Sequence, residues 1–121
     1  MLQIRQQCFP VTIGCDALVA NTTGTSNVAI GVSALSTSAT RLGNTAVGFE
    51  ALKTLDTTGW VAVGYQAAKA TTSGYDSVAV GASALLSNTT GHSNVAIGFN
   101  ASDSSTTAYH NTAIGNSALG S

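Results

Sequence analysis

The sequence predicts an all-β solenoid of about seven rungs, each about 17 residues long. A short pattern, Asn-Val-Ala-Ile-Gly at positions 94–98, recurs from one end of the chain to the other. The glycines that close its copies follow one another at a nearly constant interval, with one unit shorter by a single position: Gly14, Gly31, Gly48, Gly64, Gly81, Gly98 and Gly115. A unit this short cannot enclose a core by itself, so the units must stack on one another.

The composition limits the classes of protein that this chain can belong to. Only 7% of its 121 residues are charged, whereas globular domains average about 25%. The net charge is −1 and there is no basic run, so we expect no nucleic-acid partner. No apolar run approaches the length of about 20 residues that a spanning helix needs, so we also expect no membrane insertion.

The N-terminal segment lies outside the repeat, and we assign residues 1–9 to an N-terminal arm or docking segment. It lacks the apolar stretch of a secretory signal. The repeat domain covers residues 10–121, with Pro10 where later copies carry Asn. Cys8 and Cys15 do not follow the period, and free thiols, a local disulfide and a bond between chains all stay open for them.

Each closing glycine follows a tripeptide that reads as a short strand. The tripeptide is mostly Val-Ala-Ile or Val-Ala-Val, and β-branched side chains favour strands. Alternation puts its first and third residues on one face and the alanine on the other. Both faces are apolar, so we expect burial on both sides. The third position carries the bulky row that we assign to core or oligomer packing: Ile13, Ile30, Val47, Val63, Val80, Ile97 and Ile114.

The remainder of each rung is read from its recurring small and polar residues. An invariant glycine at one position indicates a positive φ or a close backbone approach. Shortly after it comes alanine, usually followed by leucine, and this pair predicts a second short strand whose alanine faces a narrow interior. A polar loop of the Thr-Thr-Gly type follows, and the unit of Trp60 is one residue short.

Asparagine opens most of the strands, and two interpretations of it stay open. Stacked Asn side chains can form a hydrogen-bonded ladder, and Asn is also a common turn residue. Ser77 and Trp60 replace it in two copies. The asparagines of the repeat are Asn27, Asn44, Asn94 and Asn111.

The bulky row also predicts an oligomer. Rungs spaced by about 4.8 Å make a rod of roughly 30 Å, along which Val and Ile form a continuous apolar strip. A strip of this kind on one chain requires a partner chain.

Asn-Val-Ala-Ile-Gly followed by x-x-Ala-Leu resembles the YadA-like head repeat of trimeric autotransporter adhesins, and similar repeats in bacteriophage fibres and appendages. The resemblance spans about Val11 to Leu119. It implies a left-handed parallel β-roll, three chains side by side in a homotrimer, and a role in surface attachment. The unit in this chain is longer than the usual adhesin repeat, and the chain shows neither a heptad stalk nor a membrane anchor.

No pair of residues in the sequence suggests catalysis, so we expect no enzymatic activity, no metal and no cofactor. The carboxylates read as surface charges, and Asp16 and Glu50 are too isolated to form an acid–base pair: Asp16, Glu50, Asp56, Asp76 and Asp103. His92 and His110 read as loop residues or, in a trimer, as rings of three around the axis. Five aromatic residues occupy loop and turn positions that suit sugar stacking, a partner contact or the groove between protomers: Trp60, Tyr65, Tyr75, Phe99 and Tyr109.

The resemblance and the repeat together favour a structural attachment module on the surface of a phage virion, in a fibre, spike or capsid appendage. Its expected partners are other virion or cell-surface proteins and a host surface glycan or protein. The alternative is the head fragment of a bacterial adhesin at the bacterial cell surface. A minor alternative is an ice-binding solenoid that uses its threonine pairs.

Overall fold

The computed structural model describes residues 9–120, and this part of the chain forms a parallel β-solenoid of about six turns. It contains seven three-residue strands and, within the described range, no helix. Each strand coincides with the tripeptide before a closing glycine. The strands are β1 (Val11–Ile13), β2 (Val28–Ile30), β3 (Thr45–Val47), β4 (Val61–Val63), β5 (Val78–Val80), β6 (Val95–Ile97) and β7 (Thr112–Ile114).

The strands form one parallel sheet in the order β1 to β7, each paired with its successor. Equivalent positions of the repeat face each other: Ala79, for example, pairs with Ala96 in the following unit. The pairing stays in register across the short unit, where Thr45 pairs with Val61. The predicted all-β solenoid and its period are therefore confirmed.

The core of the chain is a thin column of small side chains with a row of leucines. The central alanine of each strand from β2 to β6 is fully buried, as is the alanine that follows the closing glycine in the rungs between Ala34 and Ala101. Leu35, Leu52 and Leu85 add the larger apolar volume. An interior of this width accepts alanine but no larger residue at the centre of the strands from β2 to β7.

The predicted second strand is wrong, because a turn replaces it. The alanine–leucine pair lies in turns throughout, and Leu35 has a φ of 49° and Leu52 a φ of 50°. The left-handed conformation costs a non-glycine residue about 1–2 kcal/mol. It bends the coil sharply, and the leucine side chain is buried. The turns still pair between rungs, since the Leu18 N–H donates to Ala34 O at 3.0 Å.

The closing glycines stack directly on one another along the coil. Their φ values run from 124° to 140°, a region that side chains with a Cβ rarely adopt. A Cβ on Gly81 would lie 2.5 Å from the carbonyl oxygen of Gly98 and 2.6 Å from its carbon. The glycine column therefore meets both sequence expectations, a positive φ and a close backbone approach.

The asparagines that open the strands form an internal hydrogen-bonded ladder. Asn27 Oδ1 accepts the backbone N–H of Asn44 at 2.9 Å, and its Nδ2 donates to Arg41 O at 2.8 Å. The same pair of bonds runs from Asn44 to Trp60 N and Thr57 O, and from Asn94 to Asn111 N and Ala108 O. Each of these amides thus pairs with the rung that follows it.

Trp60 takes one place in this ladder, and it is fully buried, so the expectation of a sugar, partner or groove contact is wrong for this residue. Its Nε1 donates to Gly74 O at 2.7 Å, which is the bond that an Asn Nδ2 makes elsewhere. The indole offers no acceptor, so it cannot serve the next rung as Asn does. Leu55, also fully buried, fills the same short unit. Two large apolar side chains thus occupy the interior where the unit has one residue fewer.

We expect Gly81→Ala to destabilise the protein by about 3 kcal/mol or more, because the Cβ meets the backbone of the next rung as well as an unfavourable φ. The matched control is Gly115→Ala, which shares the positive φ but whose Cβ would meet only Ala118 Cβ, at 3.9 Å. Urea unfolding at one protein concentration measures both. Equal losses in the two variants would contradict the stacking explanation.

We expect Asn44→Ala to cost about 2–4 kcal/mol, because it leaves the Trp60 N–H and the Thr57 carbonyl without their partner. Asn111→Ala, at a half-buried position in the last described rung, should cost less than about 1 kcal/mol. The same unfolding measurement compares them. A loss at Asn44 no larger than at Asn111 would contradict an energetic role for the ladder.

Candidate interaction surface

The first and third side chains of each strand form the outer face of the sheet. Ile13 is 60% exposed, Ile97 38% and Ile114 66%, whereas the members of the row in β2 to β5 are half-buried. In the single chain this row is therefore a surface and not a core. The expected burial on both faces of the sheet holds for the face with the alanines but not for the face with the bulky row. The packing of this row against other chains stays a prediction.

A second apolar column directly follows the closing glycines in the sequence of each rung. It contains Val32, Phe49, Tyr65 and Phe99, all exposed. Phe49 and Tyr65 stack with their ring centroids 5.3 Å apart and an interplanar angle of 13°. We call the outer strand residues and this column together the apolar face. Six intervals of about 4.8 Å give it a length of roughly 29 Å.

Glu50 is the centre of a charged cluster beside the leucine turns. Its carboxylate contacts Lys53 Nζ at 2.7 Å, Lys69 Nζ at 2.6 Å and Gln66 Nε2 at 3.0 Å. The side chain of Glu50 is only 12% exposed. Hydrogen bonds from Lys53, Lys69 and Gln66 lower the pKa of Glu50 to about 2. The expectation of an isolated surface charge is thus wrong for Glu50, because it links two neighbouring rungs.

Tyr75, His92 and Tyr109 form one stacked column on three successive rungs. The ring of His92 lies 4.5 Å from that of Tyr75, at an angle of 4°, and 5.4 Å from that of Tyr109. His110 contacts both His92 and Tyr109 edge-on. The three positions of the column are one period apart, so the period alone is enough to find it. Sequence reasoning treated these residues as scattered and missed it.

The threonines of the polar loops pair with the backbone of the next rung. Thr22 Oγ1 donates to Ala39 O at 3.1 Å, and Thr72 and Thr89 donate to the equivalent carbonyls at 3.2 and 3.0 Å. A hydroxyl that donates to the backbone no longer offers that proton to solvent. The threonine ladder is therefore part of the stacking.

The rest of the described surface has few groups that could bind a metal ion or react. Among residues 9–120, no three His, Cys, Asp or Glu side chains gather as metal ligands. Cys15 is an exposed free thiol. Cys8 and most of the expected N-terminal arm, residues 1–8, lie outside the described part of the chain. The described residues include no helix that is long and apolar enough to cross a membrane.

Comparison of the chain with protein-family models, curated proteins and solved structures finds no match to any of them. The fold and the surfaces described above therefore carry the functional interpretation.

The Glu50 cluster makes the stability of the fold decrease as the pH falls into the acid range. The native pKa lies below the ordinary value of 4.5, so the cluster stabilises the fold above that pH and loses its contribution as the pH falls towards about 2. We expect Glu50→Gln to lower the midpoint temperature of unfolding at pH 7. Near pH 2 the midpoint temperature of the variant should approach that of the parent protein. Thermal unfolding from pH 7 to pH 2 tests this. A constant difference between the two proteins across that range would contradict the assignment.

Proposed function

We propose that this chain is a non-enzymatic attachment module, a left-handed β-roll that assembles side by side as a homotrimer in a phage fibre, spike or capsid appendage. The observation that carries the proposal is the apolar face. Val and Ile side chains of the strands, with Phe and Tyr side chains in the turns that follow them, lie along about 29 Å of the coil without a partner in the single chain. A closed trimer covers such a face in every copy, whereas the single chain leaves it in water.

The mechanism of an attachment module of this kind is geometric. The coil supplies a rigid rod, and its loops recur at fixed positions along and around the rod. Threefold presentation turns weak single contacts into strong attachment, because the second and third contacts form at a high effective concentration. Catalytic groups are not required for this function.

The head of a bacterial trimeric adhesin is the second candidate, and the same apolar face supports it equally. The two candidates differ in what surrounds the repeat domain in the complete protein. Heptads and a membrane anchor in the same reading frame favour the adhesin, whereas neighbouring virion genes favour the phage appendage. Ice binding is a weaker candidate, because hydroxyls of Thr22, Thr72 and Thr89 donate to the backbone.

The proposed trimer is tested first by mass in solution, using light scattering after size exclusion. A trimer has three times the chain mass of 12.0 kDa. A monomeric mass for the parent protein contradicts the proposal, because the apolar face is then stable in water.

We expect Ile97→Asp to abolish the trimer, because it places an unpaired charge within an apolar contact. Ile97 is 38% exposed in the single chain, so its coil should still form. Thr90→Asp is the matched control, with the same new charge in an exposed loop. Light scattering should give the mass of one chain for the first variant and the mass of three chains for the second. A trimeric Ile97→Asp protein would show that this position lies outside the interface.

A further inference from the structure

A cleft of about 310 Å³ opens beside the aromatic column, where the row of large side chains is interrupted. Arg41, Asp56, Thr57, Thr58 and Tyr75 line it. Thr58 occupies the position that aromatic rings hold in the next three rungs, so the ring that would continue the column is missing here. The cleft belongs to the short unit that also buries the tryptophan.

One face of the Tyr75 ring forms a wall of this cleft. The opposite face is covered by His92, whose ring lies 4.5 Å away and nearly parallel. Tyr75 is 45% exposed, and the stack on His92 fixes the orientation of its ring. A fixed aromatic surface is therefore available on the side of Thr58.

Other lining residues of the cleft supply polar groups. Arg41 Nε donates to Asp56 Oδ1 at 3.1 Å and Nη2 donates to Oδ2 at 3.5 Å. The ion pair brings both exposed side chains together at the cleft, and the guanidinium keeps further N–H donors while the carboxylate keeps further lone pairs. The hydroxyl of Thr57 donates to Gly74 O, so its proton is already used. Hydrogen-bond donors and acceptors thus line the same cleft as an aromatic ring.

We propose that this cleft binds a single neutral pyranose unit, as the terminal sugar of a surface glycan. A pyranose has one face of C–H groups, which suits the Tyr75 ring, and a rim of hydroxyls that both donate and accept. Ligand sites combine an apolar wall with a few fixed polar groups in this way, and volumes of about 300 Å³ mark the small end of their range.

The local charge favours a neutral sugar over an acidic one. Arg41 is already paired with Asp56, and Asp76 lies against the Thr58–Gly59 loop, since a Cβ on Gly59 would touch its carboxylate. The three charges sum to −1, from one arginine and two aspartates, which opposes a carboxylated sugar. This inference rests on the proposed attachment function, since it names the chemical group that the surface would attach to.

The experiment uses the protein as it exists and a panel of methyl glycosides as probes. Saturation-transfer NMR is recorded with the methyl pyranosides of glucose, galactose, mannose and N-acetylglucosamine, and with a methyl sialoside. We expect at least one neutral pyranoside to bind and the sialoside not to bind. No signal from any of the neutral probes overturns the inference, and so does binding of the sialoside alone.

The variants locate the site within the column. Tyr75→Ala and Asp56→Asn should each weaken binding of the neutral probe at least tenfold. Tyr109→Ala removes the ring at the far end of the same stack, away from the cleft, and should change binding less than twofold. Equal weakening by Tyr75→Ala and Tyr109→Ala overturns the assignment. If Tyr75→Ala fails to fold, Asp56→Asn, at an exposed position, decides the outcome alone.

The oligomeric mass of each sample separates this inference from the proposed function. A trimer without a saccharide signal overturns the cleft assignment and leaves the trimer intact, including the case in which a neighbouring copy fills the cleft. A monomer that binds the neutral probe, with the expected variant pattern, supports the cleft and overturns the trimer.

Discussion

The structure depends on one constraint, which is that every residue of a rung lies against its own equivalent in the next rung. The backbone hydrogen bonds of the parallel sheet set the spacing at about 4.8 Å, and the turns obey the same spacing. A side chain on the inside must therefore be compatible with copies of itself above and below. Alanine satisfies this condition by being small, glycine by having no Cβ at Gly81 and its equivalents, and asparagine by bonding to the following rung.

This constraint also explains why most of the large and charged side chains lie on the outside of the coil. An interior of alanine and leucine buries little apolar area per rung, so neighbouring rungs must share the stabilisation, as in other repeat proteins. Apart from Trp60, which fills the short unit, the larger β-branched and aromatic side chains of the described rungs lie outside the interior, and the outer strand residues with Val32, Phe49, Tyr65 and Phe99 form the apolar face. Polar side chains outside the core reinforce the stacking, as Glu50 does by contacting lysines on two rungs. The proposed trimer follows from this division of small residues inside and large residues outside.

Breaks in the repeat create the local features on which recognition can depend. The unit of Trp60 has one residue fewer, and its indole takes over an Asn hydrogen bond while filling the interior. In the same region Thr58 interrupts the aromatic column, so one face of Tyr75 borders a cleft with Arg41 and Asp56. A perfect repeat would present a uniform ridge, whereas an interrupted one presents a defined site.

The sequence by itself determined the period, the seven strands, their register and the inward alanine of the strands from β2 to β7, because residues one period apart become neighbours in an in-register parallel coil. It also indicated the Asn ladder, the special role of the closing glycines and the apolar face. The tertiary structure alone decided that Leu35 and its equivalents bend the chain at a positive φ and that Trp60 is buried. It alone decided that Glu50 joins two lysines and that Tyr75 borders a cleft. These features depend on the path of the turns and on distances between different rungs, and neither is encoded in the local alternation of side chains.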